Sequence, residues 1–170
     1  MARRCPILPR ARLWHVVSML TRAHHLLTKR LIDSLYVETM LLADEARGYF
    51  DIYGRADRDE LPPMMRVGFS CESLRVTTRL MHIIAWLLTR RAVAAGEISE
   101  EQAAAPERRL GRSQSSDPDL VDGLPEAARH IIAATGDLYA RVLRLDDVVD
   151  RTVPIQSPAR GLMDRLAQAF

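Results

Sequence analysis

Between Ser70 and Arg91 the chain reads SCESLRVTTRLMHIIAWLLTRR, with neither Gly nor Pro and with Leu, Ile and Met recurring at helical spacing. At about 100° per residue, Leu74, Thr77, Met81, Ile84 and Leu88 form one stripe. Phe69, Val76, Leu80, Ile83 and Leu87 form a second beside it. Two adjacent seams cover roughly half of a helix, more than one neighbouring helix occupies. The pattern therefore predicts a central helix packed on two sides. Its third side carries Glu72, Arg75, Arg79, His82, Trp86 and Arg90 and is expected to face solvent or a partner.

The same periodicity predicts two further helices. From His25 to Tyr53 the positions Leu27, Leu31, Leu35, Leu42, Ala46, Tyr49 and Tyr53 fall close to one face, with Gly54 as the expected stop. Pro62 and Pro63 suit the first turn of the central helix, which should run to Ala95 and end at Gly96. Ser99 and Gln102 have capping-box spacing, predicting a short turn through Ala105. Residues 106–123 are rich in Gly, Ser, Asp and Pro and read as a loop. The last helix opens at Leu124-Pro125, with the seam Leu124, Ala128, Ile131, Thr135, Leu138, Val142, Leu145 and Val149 at alternating spacings of four and three.

No strand-type alternation competes with this pattern. The expected fold is all-α, an antiparallel three-helix bundle over residues 25–150 with helices at about 25–53, 62–95 and 124–150. It is flanked by a basic, disordered arm (1–24) and by a linker and short tail (151–170). Three long helices make a thin core, and the central one has apolar surface left over. Burying that surplus against a twin subunit predicts a homodimer. Leu74, Met81, Ile84 and Leu88 are the candidate dimer or core seam, and the pattern leaves open which of the two seams meets the twin.

Charge sharpens the division into arm and body. The net charge is +2. Residues 1–30 hold seven basic side chains and no acid, while the other 17 basic and 22 acidic side chains leave the body at −5. Basic character thus belongs to the arm, whereas a nucleic-acid reader usually presents it on the folded domain. The two cysteines, Cys5 and Cys71, do not form a disulfide framework and fit a reducing cytoplasm. No window approaches the roughly 18–20 apolar residues that span a bilayer, so no membrane partner is expected. The apolar stretch from Leu13 to Leu20 is short, contains His15 and lacks a clean cleavage site. A disordered arm, or a true start at Met19, fits it better than a signal peptide.

Catalytic chemistry is hard to assemble from these residues. His24 and His25 are adjacent and point about 100° apart on a helix, and His15, His82 and His130 have no ligand partner at helical contact spacing. HExxH, ExxH, CxxC, GxSxG and a Gly-rich phosphate loop are all missing. No metal, cofactor or enzymatic activity is therefore expected. Cys71 has no histidine at contact spacing and reads as a small helix residue. Asp146, Asp147 and Asp150 crowd a helix C-terminus and read as a solvated end or an acidic docking spot. The best candidates for partner binding are the stripe Arg75, Arg79, His82, Trp86 and Arg90, since Trp and Arg dominate recognition anchors. The alternative reading tucks Trp86 against helix one or three, with the arginines paired to Glu72 or to acids across the bundle. Leu162, Met163, Leu166 and Phe170 in the tail form a second candidate cluster, either a docking peptide or a cap on the core.

The run from Glu72 to Met81 (ESLRVTTRLM), followed by Trp86 to Leu88, Arg91 to Val93 and Gly96-Glu97, resembles the signature of the alpha-proteobacterial regulator-of-CtrA-degradation family, long catalogued as a domain of unknown function. Weaker similarity covers Leu31 to Gly54, the opening at Leu124 and the final Phe170. The basic arm has no counterpart in that pattern, and Cys71 and His82 stand where other residues are expected. The resemblance implies a helical-bundle homodimer that acts as a non-catalytic adaptor, tying client proteins such as cell-cycle regulators to the ClpXP protease through other adaptors. A DNA-associated regulator using Arg3, Arg4, Arg10, Arg12 and Arg22 is the alternative, against an acidic body with no helix-turn-helix spacing. A helical enzyme or ligand-binding bundle is a third.

Overall fold

The computed structural model describes the backbone over residues 10–152 and side chains over residues 28–149. Among these, every regular element is helical: α1 (Arg10–Gly48), a π-turn (Tyr49–Tyr53), α2 (Gly54–Glu60), α3 (Pro63–Ala95), α4 (Glu100–Ala103), a 3₁₀ turn (Pro106–Arg108), α5 (Pro118–Asp122) and α6 (Glu126–Thr152). The fold is all-α.

Local chemistry sets most of these boundaries. Pro62 and Pro63 open α3, where a missing N–H costs nothing. Gly96 closes it in the left-handed region at φ 75°. Ser99 and Gln102 form a reciprocal capping box on α4. Two boundaries differ from the sequence reading. Helix α1 begins at Arg10, so the disordered arm is corrected over residues 10–24; from Arg10 to Arg47 no Gly or Pro interrupts the chain. Gly54 does not end a helix. It is buried between the π-turn and α2, where a Cβ would lie 2.9 Å from the Tyr49 carbonyl oxygen and 3.1 Å from its ring. Close approach, not helix termination, is what requires glycine there.

The three long helices pack mutually around two apolar clusters. One joins Ala46 and Tyr49 of α1 and its π-turn to Phe69, Val76 and Leu80 of α3, to Leu124 just before α6 and to Ala128 and Ile131 within it. The other joins Ile32 and Leu35 to Ile83, Trp86 and Leu87 and to Leu138 and Val142. The middle of α1 thus meets late α3 and late α6, while its end meets their earlier parts, so α1 runs antiparallel to both. Late α3 meets late α6, and α3 and α6 therefore run parallel. The antiparallel expectation holds for α1 and is corrected for this pair. The cause is the connection over residues 96–125, which travels back along α3 before α6 begins. Arg90 pairs with Glu100 at 3.1 Å, Gly111 abuts His82 and Gly123 abuts Met65. This strap retraces roughly 37 Å of helix at 1.5 Å per residue.

Candidate interaction surfaces

The strap decides what the third side of α3 can do. Glu72, Arg79 and Trp86 are buried beneath it, and Arg75, His82 and Arg90 are partly covered. The expectation that this stripe faces solvent is corrected. Most of its polar groups are engaged by the chain itself, though His82 Nδ1 and Arg90 Nε are buried without a hydrogen-bond partner. Arg79 donates from Nε to Ser113 Oγ at 3.1 Å and from Nη2 to the Gln114 carbonyl at 3.1 Å and Ser116 Oγ at 3.0 Å. It also reaches the Ile132 carbonyl of α6 at 3.5 Å. Ser116 in turn donates to Glu72 at 2.6 Å, and Glu72 pairs with Arg75. Burial pushes the Arg79 guanidinium below its ordinary value while Glu72 pulls it back up; an arginine stays charged throughout. A buried cation of this kind is stabilised only while its hydrogen bonds are made.

Trp86 follows the tucked-in alternative. Its indole N–H donates to Asp146 of α6, and Arg109 of the strap reaches the same carboxylate. Asp146 is therefore buried, not part of a solvated acidic end. Arg90 lies over the Trp86 ring at 5.8 Å and pairs with Glu100. The strap can cross His82 only because residue 111 is glycine: a Cβ there would fall 2.7 Å from the imidazole. This network locks α3, the strap and α6 together. Among the described residues no group of three or more His, Cys, Asp or Glu is arranged to hold a metal ion. No described helix is long and apolar enough to cross a membrane. The candidates Leu162, Met163, Leu166 and Phe170 lie outside the described residues.

The surplus apolar surface lies on the opposite flank of α3. The Phe69–Leu87 seam is buried in the core, while Leu74 and Met81 of the other seam are 69% and 65% exposed. Leu88 and Val67 are exposed as well, and Ile84 is half-buried. Val67, Leu74, Met81 and Leu88 recur every seven residues, so they form one row slanting only about 20° per repeat. Arg91 fixes α1 beside the end of this row, bridging Asp33 at 3.2 Å and lying over the Tyr36 ring at 4.6 Å. Val37 and Met40, both exposed, stand four residues beyond Asp33 and Tyr36 and occupy the same flank one turn on. Each such side chain, once covered, contributes roughly 1.5–3 kcal/mol.

A second exposed apolar feature has little signal in the sequence. Tyr49 and Phe50 both pack onto Phe69, at ring-centroid distances of 6.1 and 5.2 Å. An α-helix would turn adjacent residues about 100° apart; the wider π-turn lets both face inward. Ile52 and Tyr53 are carried outward in consequence, Tyr53 to 76% exposure. The periodic reading, which grouped Tyr53 with the buried face, is corrected on that account. Glycines on either side of YFDIY, Gly48 and Gly54, are the only hint the sequence offers.

The DUF1465 family, described as a protein of unknown function, matches residues 23–170. The crystal structure of RcdA from Caulobacter crescentus CB15 is similar at 34% sequence identity and a TM-score of 0.58, over 70% of this chain and 90% of that one. No curated protein matches. With the match spanning most of the sequence and the helical arrangement shared, this chain belongs to the RcdA/DUF1465 family.

Proposed function

We propose that the protein is a non-catalytic, cytoplasmic adaptor that works as a homodimer and ties client proteins, cell-cycle regulators among them, to the ClpXP protease through protease-associated partners. The observation that carries this reading is the row Val67, Leu74, Met81 and Leu88, an apolar stripe left open on a helix whose other sides are covered. Contiguous exposed apolar surface of this kind marks protein contacts. The polar residues most suggestive of chemistry, Glu72, Arg79, Trp86 and Asp146, are occupied in holding the strap and bundle together. Likeness to RcdA supports a regulatory, non-catalytic role, and the choice of partners rests on the family resemblance of the sequence. The row is the dimer seam in this reading, because a repeating apolar row is self-complementary across a two-fold axis.

The test is protein turnover in the host cell. Deleting the gene should lengthen the half-lives of a small group of proteins whose turnover also depends on ClpX, and the wild-type gene should restore them. Tagged protein should co-purify with ClpX-associated proteins. Unchanged half-lives across the proteome, with nothing ClpX-associated recovered, would contradict the proposal.

A further inference from the structure

We propose that the groove beside the π-turn is a docking site for a short peptide segment of a partner protein, one with an apolar side chain flanked by Lys or Arg. The groove is open, about 1330 Å³, and runs between the end of α1, the π-turn and the start of α6. Buried Tyr49 and Ile131 are among the residues that line it, and exposed Ile52 and Tyr53 supply apolar surface for contact. Tyr53 lies alongside the backbone at Gly48, where a Cβ would be 4.0 Å from its ring. One edge of the ring is therefore supported, and the rest is free to receive a side chain. A tyrosine side chain has few rotatable bonds and loses little conformational entropy on binding, which is why such rings serve as anchors.

Charge selects the occupant. Five carboxylates line the groove: Asp44, Glu45, Asp51, Asp57 and Glu126. Against them stand two arginines, Arg47 and Arg55, and His130, whose nearest ion-pair partner is Glu45 at 4.0 Å. The tyrosine hydroxyl of Tyr49 donates to Asp57 at 2.7 Å and leaves its charge in place. The groove is thus net negative, and the exposed Tyr53 face also attracts guanidinium and ammonium groups. A basic segment gains from the net negative charge despite Arg47 and Arg55, and an acidic one is repelled. Arg10 and Arg12 of the chain's own basic segment lie at the far end of α1, which is continuous from Arg10 to Gly48. This inference names a partner class for the adaptor reading and rests on it for its cellular use, but the binding is measured on the isolated protein.

The experiment is fluorescence anisotropy with full-length protein and a labelled twelve-residue peptide carrying four arginines around a central Leu-Leu pair. Two control peptides replace Arg by Glu, or Leu by Ser. The basic apolar peptide should bind, weaken as salt rises, and lose about tenfold or more in affinity to Ile52→Ser/Tyr53→Ala, as hot-spot anchors do. Asp51→Lys should weaken it as well, and both controls should bind at least about fivefold less tightly. All three positions are exposed, so the variants should fold as the wild type does, which circular dichroism verifies. Equal binding of the acidic control, no binding of the basic peptide, or unchanged affinity in the variants would overturn the proposal. So would a rise in peptide affinity on deleting residues 1–24, which would make the groove the seat of a second copy's arm. None of these outcomes alters client half-lives, so this inference can fail while the adaptor reading stands.

Discussion

The indole N–H of Trp86 on α3 donates to Asp146 Oδ1 on α6 at 2.7 Å, and Arg109 Nε of the strap meets the same oxygen at 3.0 Å. Three segments far apart in sequence thus converge on one buried carboxylate. Asp146→Ala removes the acceptor of the Trp86 indole N–H and of the Arg109 Nε–H, and leaves the buried indole donor unpaired. Leaving a buried donor unpaired and breaking the partly buried ion pair to Arg109 costs roughly 1–3 kcal/mol. Urea unfolding followed by circular dichroism should show that loss, with Asp146→Asn retaining part of the stability.

Arg79 pins the strap at three residues, through Ser113 Oγ, the Gln114 carbonyl and Ser116 Oγ. Arg79→Met keeps the apolar stem and removes these donors. The strap should then open locally while the bundle persists, since the two apolar clusters remain. Limited proteolysis within residues 109–117 should accelerate by about tenfold or more, the equivalent of at least about 1.4 kcal/mol of local stability. Unchanged cleavage would show that the strap is held by its apolar ends alone.

Gly54 tests the π-turn. A methyl group at this position would lie 2.9 Å from the Tyr49 carbonyl oxygen and 3.1 Å from the ring. The oxygen is backbone and cannot swing away, so Gly54→Ala should destabilise by roughly 1–3 kcal/mol. The same substitution on an exposed stretch of helix would stabilise, which makes the sign of the change decisive. Thermal unfolding measures it.

Tyr49 should make the protein sensitive to alkali. Burial, then the hydrogen bond and charge of Asp57, hold its phenol well above the ordinary value near 10. The folded state keeps the proton after the unfolded chain has lost it. Stability is therefore full below about pH 10 and falls as pH rises beyond it. Urea titrations at pH 9, 10 and 11 should show the decline, and Tyr49→Phe should flatten its slope.

Helix ends were legible where local chemistry determines them. Pro62-Pro63, Gly96 and the Ser99–Gln102 box each fix a boundary without help from tertiary structure. The α6 seam was legible for the same reason: Leu124, Ala128, Ile131, Thr135, Leu138 and Val142 are all buried. Direction was not. A heptad row looks the same read forwards or backwards, so periodicity specifies which face of α6 is buried and not which way it runs beside α3. That depends on the route of residues 96–125, whose loop-like composition gave no sign that Arg79 and Gly111 would tie it down over the Arg–Trp stripe. The π-turn was hidden too, because it breaks the 100° period on which the reading rests.

A homodimer built on the row Val67, Leu74, Met81 and Leu88 requires that a second copy cover it in solution. Sedimentation equilibrium of the wild type and of Leu74→Asp/Met81→Asp settles it. The wild type should give a mass about twice 19.2 kDa. The variant should give 19.2 kDa with its helix content retained, because both side chains are exposed in the single chain. A wild-type mass of 19.2 kDa at every concentration, or a dimer indifferent to the two aspartates, would contradict the account.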